Sequence, residues 1–335
     1  MQTDLKVGLL GGGSWGTTVA ALVSRNAQVK LWARNADTAR EINEQHTNER
    51  YLPGARLPSR VVATNDIEEA VAPNDVIVMA IPSQNFRAVL EEVRQYIRPW
   101  VPVISLTKGL ELSTRMRMTE IVNEVLPGHP AGVLTGPNLA REIMSGFAAA
   151  SVIAMNDQIV VQEIQKIFHS GLFRVYTNHD VVGCELGGVL KNIIAIAAGM
   201  GDGQGAGENT RSAVITRGLA EMTRLGVAMG GEPQTFAGLA GMGDLVATCT
   251  SPQSRNRHVG VELGQGLTLD EIVDKMFMVA EGAKSAPAVI ELADHYQVEM
   301  PIAREVYDVL RGESNARTAF RGLLRAEIGA ESEPG

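Results

Sequence analysis

The amino-acid sequence predicts an α/β fold with two parts, an N-terminal doubly wound, mainly parallel sheet followed by an all-α C-terminal domain. Three observations predict it. Between residue 4 and about residue 177, eight short β-branched runs alternate with helix-like stretches. Those runs are almost continuously apolar rather than alternating, as strands covered on both faces by helices are. Beyond about Asp180 the strand signal stops and apolar residues recur at helical spacing. A chain of 335 residues is long enough for two domains, each with its own core.

The predicted strands are, in order, KVGLLG, QVKLWA, RVVAT, DVIVMAI, PVISLT, AGVLTG, AASVIAM and FRVYT. After them Leu186, Leu190, Ile193, Ile194 and Ala197 mark one buried helical face, and a long helix is expected from Thr210 to Met229. Another should begin at Thr268, where Thr-x-x-Glu to Glu271 forms a capping box, and another after Pro301, which suits a helix's first turn. The expected division is residues 1–178, residues 179–325, and an acidic tail over residues 326–335 that ends in Pro-Gly.

Composition narrows the function. Thirty Lys and Arg against 38 Asp and Glu give a net charge of −8, which disfavours a partner held by general attraction to nucleic acid. Cys184 and Cys249 are the two cysteines and form no C-x-x-C pair, so neither a disulfide framework nor a thiolate metal site is expected. The histidines lack ligand spacing, and no metal is expected. The N-terminus does not read as an export signal and no apolar run spans a bilayer, so the expectation is a cytoplasmic protein without membrane insertion. The unusual count is 35 glycines, about a tenth of the chain against a usual ~7%, and their clusters mark where to look.

The first cluster is Gly11-Gly-Gly13-Ser14-Trp15-Gly16, placed after a strand and opening a helix. In that context G-x-G-x-x-G is a dinucleotide fingerprint of the Rossmann type. Gly11 allows the tight turn, Gly13 lets a pyrophosphate reach the backbone, Gly16 lets helix and strand pack, and the helix N-terminus offers amide donors. Without that context, it would be a glycine-rich turn. The acidic residue that binds an NAD ribose is absent from the end of the second strand, where Arg34 stands instead. A guanidinium pairs with a 2′-phosphate, so NADP(H) is favoured and NAD(H) remains open; the alternative is a solvated surface arginine.

Lys108 follows the fifth strand, at the carboxyl edge where ligands gather in such sheets, although surface lysines also follow strands. Gly136-Pro-Asn138 holds the equivalent place one strand later, fit for a ligand or for a plain turn. Lys191 has Gly187, Gly188 and Ala195 as its helical neighbours and no carboxylate among them. A lysine on so bare a face suits a cleft, where burial lowers its pKa and fits it for proton exchange near neutrality; a snorkelling rim lysine is the bland alternative. The third cluster runs from Gly241 through Asp244 and Thr248 to Ser254-Arg255-Asn256-Arg257, which opens a helix ending near Gly264. Arg255 there suits a phosphate, and Asp244 suits Lys191, against a simple turn and a solvated helix.

Together these segments resemble the soluble NAD(P)-dependent glycerol-3-phosphate dehydrogenases of the bacterial biosynthetic type. The resemblance runs to about residue 325, over GGGSWGTTVA, SLTKGLE, LTGPNLAREI, CELGGVLKNIIAIAAGMGDG, GENTRSAVITRGLAEM, GLAGMGDLVATCTSPQSRNR and VAEG. It implies that Ser14, Trp15, Arg34, Ala140, Val279 and Glu281 line the cofactor site and that Lys191 is the catalytic lysine. It further implies Lys108, Gly136, Asn138, Asp244, Ser254, Arg255 and Asn256 at the substrate, with Lys108 and Arg255 also near the cofactor and Asn192 and Thr248 in support. Asn138 departs from the family's common serine. The expected reaction reduces dihydroxyacetone phosphate to sn-glycerol 3-phosphate, Lys191 donating the proton with Asp244 and Lys108 beside it and Arg255 holding the phosphate. A homodimer and a role in glycerophospholipid synthesis are implied by the resemblance alone. The rival readings are a related hydroxy-acid dehydrogenase and a non-catalytic NADP(H) sensor, the latter having no need of Lys191 and Asp244.

Overall fold

The computed structural model describes residues 4–276 and 280–323. The expected tail over 326–335 lies outside the described residues. Two compact units emerge, and the division is not a single cut near residue 178: Lys108–Met116 groups with the chain from Val182 onward, while residues up to Thr107 and from Arg117 to Val181 form the sheet unit. A nine-residue excursion inside a continuous α/β pattern leaves no compositional mark, which is why a linear reading passes over it.

The sheet unit contains β1 (Lys6–Leu10), α1 (Ser14–Val23), β2 (Gln28–Trp32), α2 (Ala36–Gln45), β3 (Val61–Thr64), α3 (Ile67–Val71), β4 (Val76–Met79), α4 (Ser83–Val93), β5 (Val103–Ser105), α5 (Met118–Val125), β6 (Ala131–Thr135), α6 (Ala140–Met144), β7 (Ala149–Met155), α7 (Gln158–Phe168) and β8 (Phe173–Asn178). All eight predicted strands are present, in the order β3-β2-β1-β4-β5-β6-β7-β8. β1 to β6 are parallel neighbours, β7 pairs antiparallel with β6, and β8 is parallel to β7. Order reverses between β1 and β4, the switch point where ligands bind in wound sheets. Because β7 runs backwards, Val152 lies opposite Thr135, and the start of β7 comes to the carboxyl end of β6. Val7, Leu9, Ile77, Val78, Val103 and Ile104 are fully buried, which accounts for runs without polar alternation.

The helical unit contains α8 (Val181–Gly203), α9 (Glu208–Ala228), α10 (Pro233–Ala237), a π-turn over Leu239–Gly243, α11 (Asp244–Thr250), α12 (Arg255–Gly264), α13 (Leu269–Lys275), α14 (Glu281–His295), α15 (Pro301–Leu310) and α16 (Ala316–Leu323). α9 starts two residues before the expected Thr210, at Glu208, whose carboxylate suits the positive end of the helix. The Thr268–Glu271 capping box and the Pro301 start are both present. α8 has the length and mean hydropathy, 1.6, of a membrane span, but its most apolar stretch is 94% buried, as in the core helix of a globular unit. Leu186, Leu190, Ile193, Ile194 and Ile196 pack there against Met222, Leu225, Phe236 and Leu245.

α8 and α12 meet backbone to backbone. A Cβ at Gly199 would stand 2.1 Å from the Arg257 carbonyl oxygen, and one at Gly260 would stand 2.1 Å from that of Ile196. Gly203 and Gly264 repeat the contact one turn further along each helix, so glycine is required on both sides of the seam.

Candidate active site

The predicted site residues divide between the units. In the sheet unit the glycine loop has the geometry its sequence implies: Gly11 adopts φ +119°, and its N–H bonds the Trp32 carbonyl at 3.0 Å. A Cβ at Gly16 would lie 2.0 Å from the Gly11 carbonyl oxygen, whereas one at Gly13 would meet nothing within 4 Å. The loop is therefore closed on its protein side and open at Gly13. No side chain caps α1, leaving its first amides to another partner. Asn48 braces the loop from outside, its amide donating to the Gly12 carbonyl and the Thr17 hydroxyl, each at 2.9 Å. Sequence reasoning passed over Asn48, because nothing local in NEQHTNER ties it to a loop some 36 residues earlier.

Arg34 stands exposed just past β2, with Asn35 capping α2 beside it. Ala140 opens α6. Gly136, at φ +128°, lies close under Ser151, where a Cβ would meet the Ser151 Cα at 3.2 Å. Trp15 Nε1, Asn48 Oδ1, Thr135 Oγ1 and Asn138 Nδ2 are inaccessible to water and lack hydrogen-bond partners. Buried polar atoms are ordinarily satisfied, so such atoms around one glycine loop and one strand end fit a polar ligand. These donors and acceptors, with the open Gly13 and the uncapped helix, suit a dinucleotide.

The helical unit builds a compact charge cluster. Asp244, 2% exposed, takes the Lys108 ammonium at 2.6 Å on one carboxylate oxygen and the Lys191 ammonium at 3.0 Å on the other. Lys191 also donates to the Thr248 hydroxyl at 2.7 Å, which in turn donates to Asp244. The bare face of α8 explains how this is possible. A Cβ at Gly187 would lie 2.5 Å from the Ala240 carbonyl, so the glycine admits the backbone of the π-turn and with it Asp244. The cleft expected from Gly187 and Gly188 is at Gly187 a packing surface, and Lys191 is only 6% exposed.

Burial lowers the Lys191 pKa from 10.5 to about 8, outweighing the opposing pull of Asp244, and the Lys108 charge acts in the same direction as burial. Burial works to raise Asp244, but the two ammoniums overcome it and hold the carboxyl below its ordinary value. Asn192, next to Lys191, donates to the Lys108 carbonyl at 3.3 Å and accepts from Asn256 at 2.9 Å; Asn256 accepts in turn from the Gly282 N–H at 3.0 Å. Ser254 caps α12 by accepting from Arg257 N–H, Arg255 occupies the first turn, and desolvation lowers the Arg255 pKa while Glu281, at the start of α14, opposes it. Arg257 and Arg211 both bind Asp202, which pins α12 and α9 to the end of α8. Val279 lies outside the described residues, and no group of metal-ligating side chains occurs among the described residues.

An ammonium whose pKa burial brings toward neutrality, paired with a buried carboxylate and beside a second cation, is an arrangement for giving a proton to a carbonyl and stabilising an oxyanion. A family model described as the NAD-dependent glycerol-3-phosphate dehydrogenase N-terminus matches residues 6–161, and one described as the C-terminus matches residues 180–321. The chain belongs to that family. A Sphingopyxis alaskensis protein named glycerol-3-phosphate dehydrogenase (NAD(P)+) 2 is 68% identical over 331 residues, covering 99% of each chain. A Mycobacterium tuberculosis protein named glycerol-3-phosphate dehydrogenase (NAD(P)+) 1 is 54% identical, over 98% of this chain and 97% of its own. A solved structure, glycerol-3-phosphate dehydrogenase from Coxiella burnetii, superposes with a TM-score of 0.92 at 36% identity, covering 96% of this chain and 99% of that one. Family membership sets aside the sensor and the related hydroxy-acid dehydrogenase.

Proposed function

We propose that this chain catalyses the NAD(P)H-dependent reduction of dihydroxyacetone phosphate to sn-glycerol 3-phosphate and the reverse oxidation. The observation that carries the reading is the Lys108–Asp244–Lys191 cluster in a chain that also holds a dinucleotide loop. The Gly11 to Gly16 loop would hold the reduced dinucleotide, which when bound would supply the hydride for the ketone carbon. The Lys191 ammonium, largely protonated at neutral pH, gives its proton to the developing alkoxide. Asp244 holds that ammonium in place and keeps it charged, Thr248 fixes its direction, and Lys108 adds a second positive charge where oxygen charge accumulates. Arg255 binds the substrate phosphate and aligns the ketone, with Ser254 and Asn256 beside it in the helical unit, and in the sheet unit Gly136 and Asn138 are assigned to the substrate as well. Arg34 takes a 2′-phosphate, favouring NADP(H) with NAD(H) also used. The role we assign is supply of sn-glycerol 3-phosphate for glycerophospholipid synthesis, by a cytoplasmic homodimer.

The test is absorbance at 340 nm with dihydroxyacetone phosphate and NADPH, then NADH, and with unphosphorylated dihydroxyacetone as control. Turnover that requires the phosphate is expected, together with Lys191→Ala losing most of kcat while binding NADPH with parental affinity. Absence of turnover in a protein that binds NADPH would overturn the reading.

A further inference from the structure

We infer that Ser151 is a positioning residue that fixes which face of the Asn138 amide meets the ligand, making the pair a directed hydrogen-bond donor for an acceptor oxygen. The inference rests on the reading above that a ligand occupies the carboxyl end of β6. Ser151 lies on β7, fully buried, and no catalytic role has been given to it. Its hydroxyl donates to Asn138 Oδ1 at 2.5 Å, a contact made available by the reversed course of β7. With the oxygen face so held, the Nδ2 group must point the other way. That nitrogen is inaccessible to water and has no partner in the protein. The neighbouring Thr135 hydroxyl, at the end of β6, is likewise buried without a partner.

A free asparagine amide can turn over and present either a donor or an acceptor, since its two ends are nearly the same shape. Toward a phosphate or a carbonyl oxygen, only the NH2 face is productive. The Ser151 hydroxyl could also accept, but it is fully buried and, among the described residues, Asn138 Oδ1 is the acceptor its hydrogen finds, so a turned amide would leave both that hydrogen and Oδ1 unpaired. The local backbone supports the arrangement: Gly136 stands at φ +128° with Ser151 Cα close beside it, so the turn carrying Asn138 is set against β7. A serine at position 138 would need no such partner, because a hydroxyl rotates to donate wherever an acceptor lies. The Ser151 requirement is thus specific to this chain's asparagine.

The experiment is a double-mutant cycle of Asn138→Ser and Ser151→Ala, read by two dissociation constants that involve no turnover. Calorimetry gives the Kd of NADPH for the free protein and the Kd of dihydroxyacetone phosphate for the NADP+-loaded protein. In the Asn138 background, Ser151→Ala is expected to weaken one constant about tenfold, the scale of one oriented hydrogen bond. In the Asn138→Ser background the same change should cost less than about twofold. Whichever constant carries the coupling identifies the oxygen's source, substrate or cofactor. Equal losses in both backgrounds would mark Ser151 as structural packing, and no loss in either would make it irrelevant; each overturns the inference. Failure of the functional reading would show separately, as a parent protein that binds NADPH but neither binds nor reduces dihydroxyacetone phosphate, and the NADPH constant would then decide Ser151.

Discussion

Replacing Asp244 with asparagine keeps the shape between two lysines and removes the charge. The carboxylate sits 3.0 Å from the Lys191 ammonium in a nearly waterless position. At an effective dielectric near 20, unit charges about 4 Å apart attract by about 4 kcal/mol, which is ~3 decades in proton affinity. Lys191 starts at about 8, so at pH 7 roughly nine molecules in ten carry the proton. After the substitution only about one in a hundred should carry it. Ketone reduction, with the Lys191 proton as the acid, should then lose about a hundredfold in kcat at pH 7. The loss must depend on pH, growing to several hundredfold near pH 8 and shrinking to about tenfold near pH 6 as protons return to the lysine. Initial rates of NADPH oxidation at saturating dihydroxyacetone phosphate from pH 5.5 to 8.5 measure it, with thermal melts confirming that the variant is folded. A variant whose rate is reduced by one constant factor at every pH would refute the reasoning, because Asp244 would then not act through the Lys191 proton.

Three further outcomes are expected. Arg255→Ala should raise the KM for dihydroxyacetone phosphate about 10- to 100-fold by losing a charge-assisted phosphate contact, and leave the melting temperature near the parental value; steady-state kinetics and calorimetry check both halves. Arg34→Ala should lower the NADPH-over-NADH preference in kcat/KM about tenfold or more through the NADPH constant alone, which parallel assays with the two cofactors would reveal. Glu221 accepts the Ile302 and Ala303 N–H groups at 2.7 and 3.2 Å, and burial, against those bonds and the charges of Arg224 and Arg217, raises it from 4.5 to about 7. Its folded pKa exceeds the unfolded one, so its contribution to stability is full below pH ~4.5 and is lost as pH rises through about 7. Glu221→Gln should therefore gain about 2–3 kcal/mol relative to the parent between pH 5 and pH 8 in urea unfolding, and an unchanged difference would discount the carboxylate.

The parts of this molecule legible in its sequence are those decided by neighbours along the chain. Apolar runs such as VIVM and the Gly11 to Gly16 loop announce themselves, since strand burial and tight turns impose residue types within a few positions. Lys191 was conspicuous because Gly187 and Gly188 sit one turn away, and Asp244 could be paired with it by chemistry alone. Lys108 is placed beside Lys191 only by the family resemblance, and that it shares the same carboxylate is not legible in the local pattern, since 136 residues separate it from Asp244 and packing joins them. The reversed direction of β7 was equally hidden, because side-chain pattern reports burial and not strand polarity. The bare face of α8 suggests open space, whereas at Gly187 it is occupied by backbone; glycine serves both ends, and the choice between them is tertiary.

The glycine seam between α8 and α12 sets how far Lys191 and Arg255 can stand apart. Side-chain contacts have rotamers and can give by fractions of an ångström, whereas main chain against main chain has no slack to take up. The spacing between the proposed proton donor and the proposed phosphate anchor is therefore held by backbone contact, insensitive to the repacking that accompanies ordinary sequence drift elsewhere in the core. A chain selected for a longer phosphorylated ketone could not reach it by enlarging a pocket residue. It would have to reset the crossing of two helices, and that makes substrate length the property of this enzyme least open to gradual change.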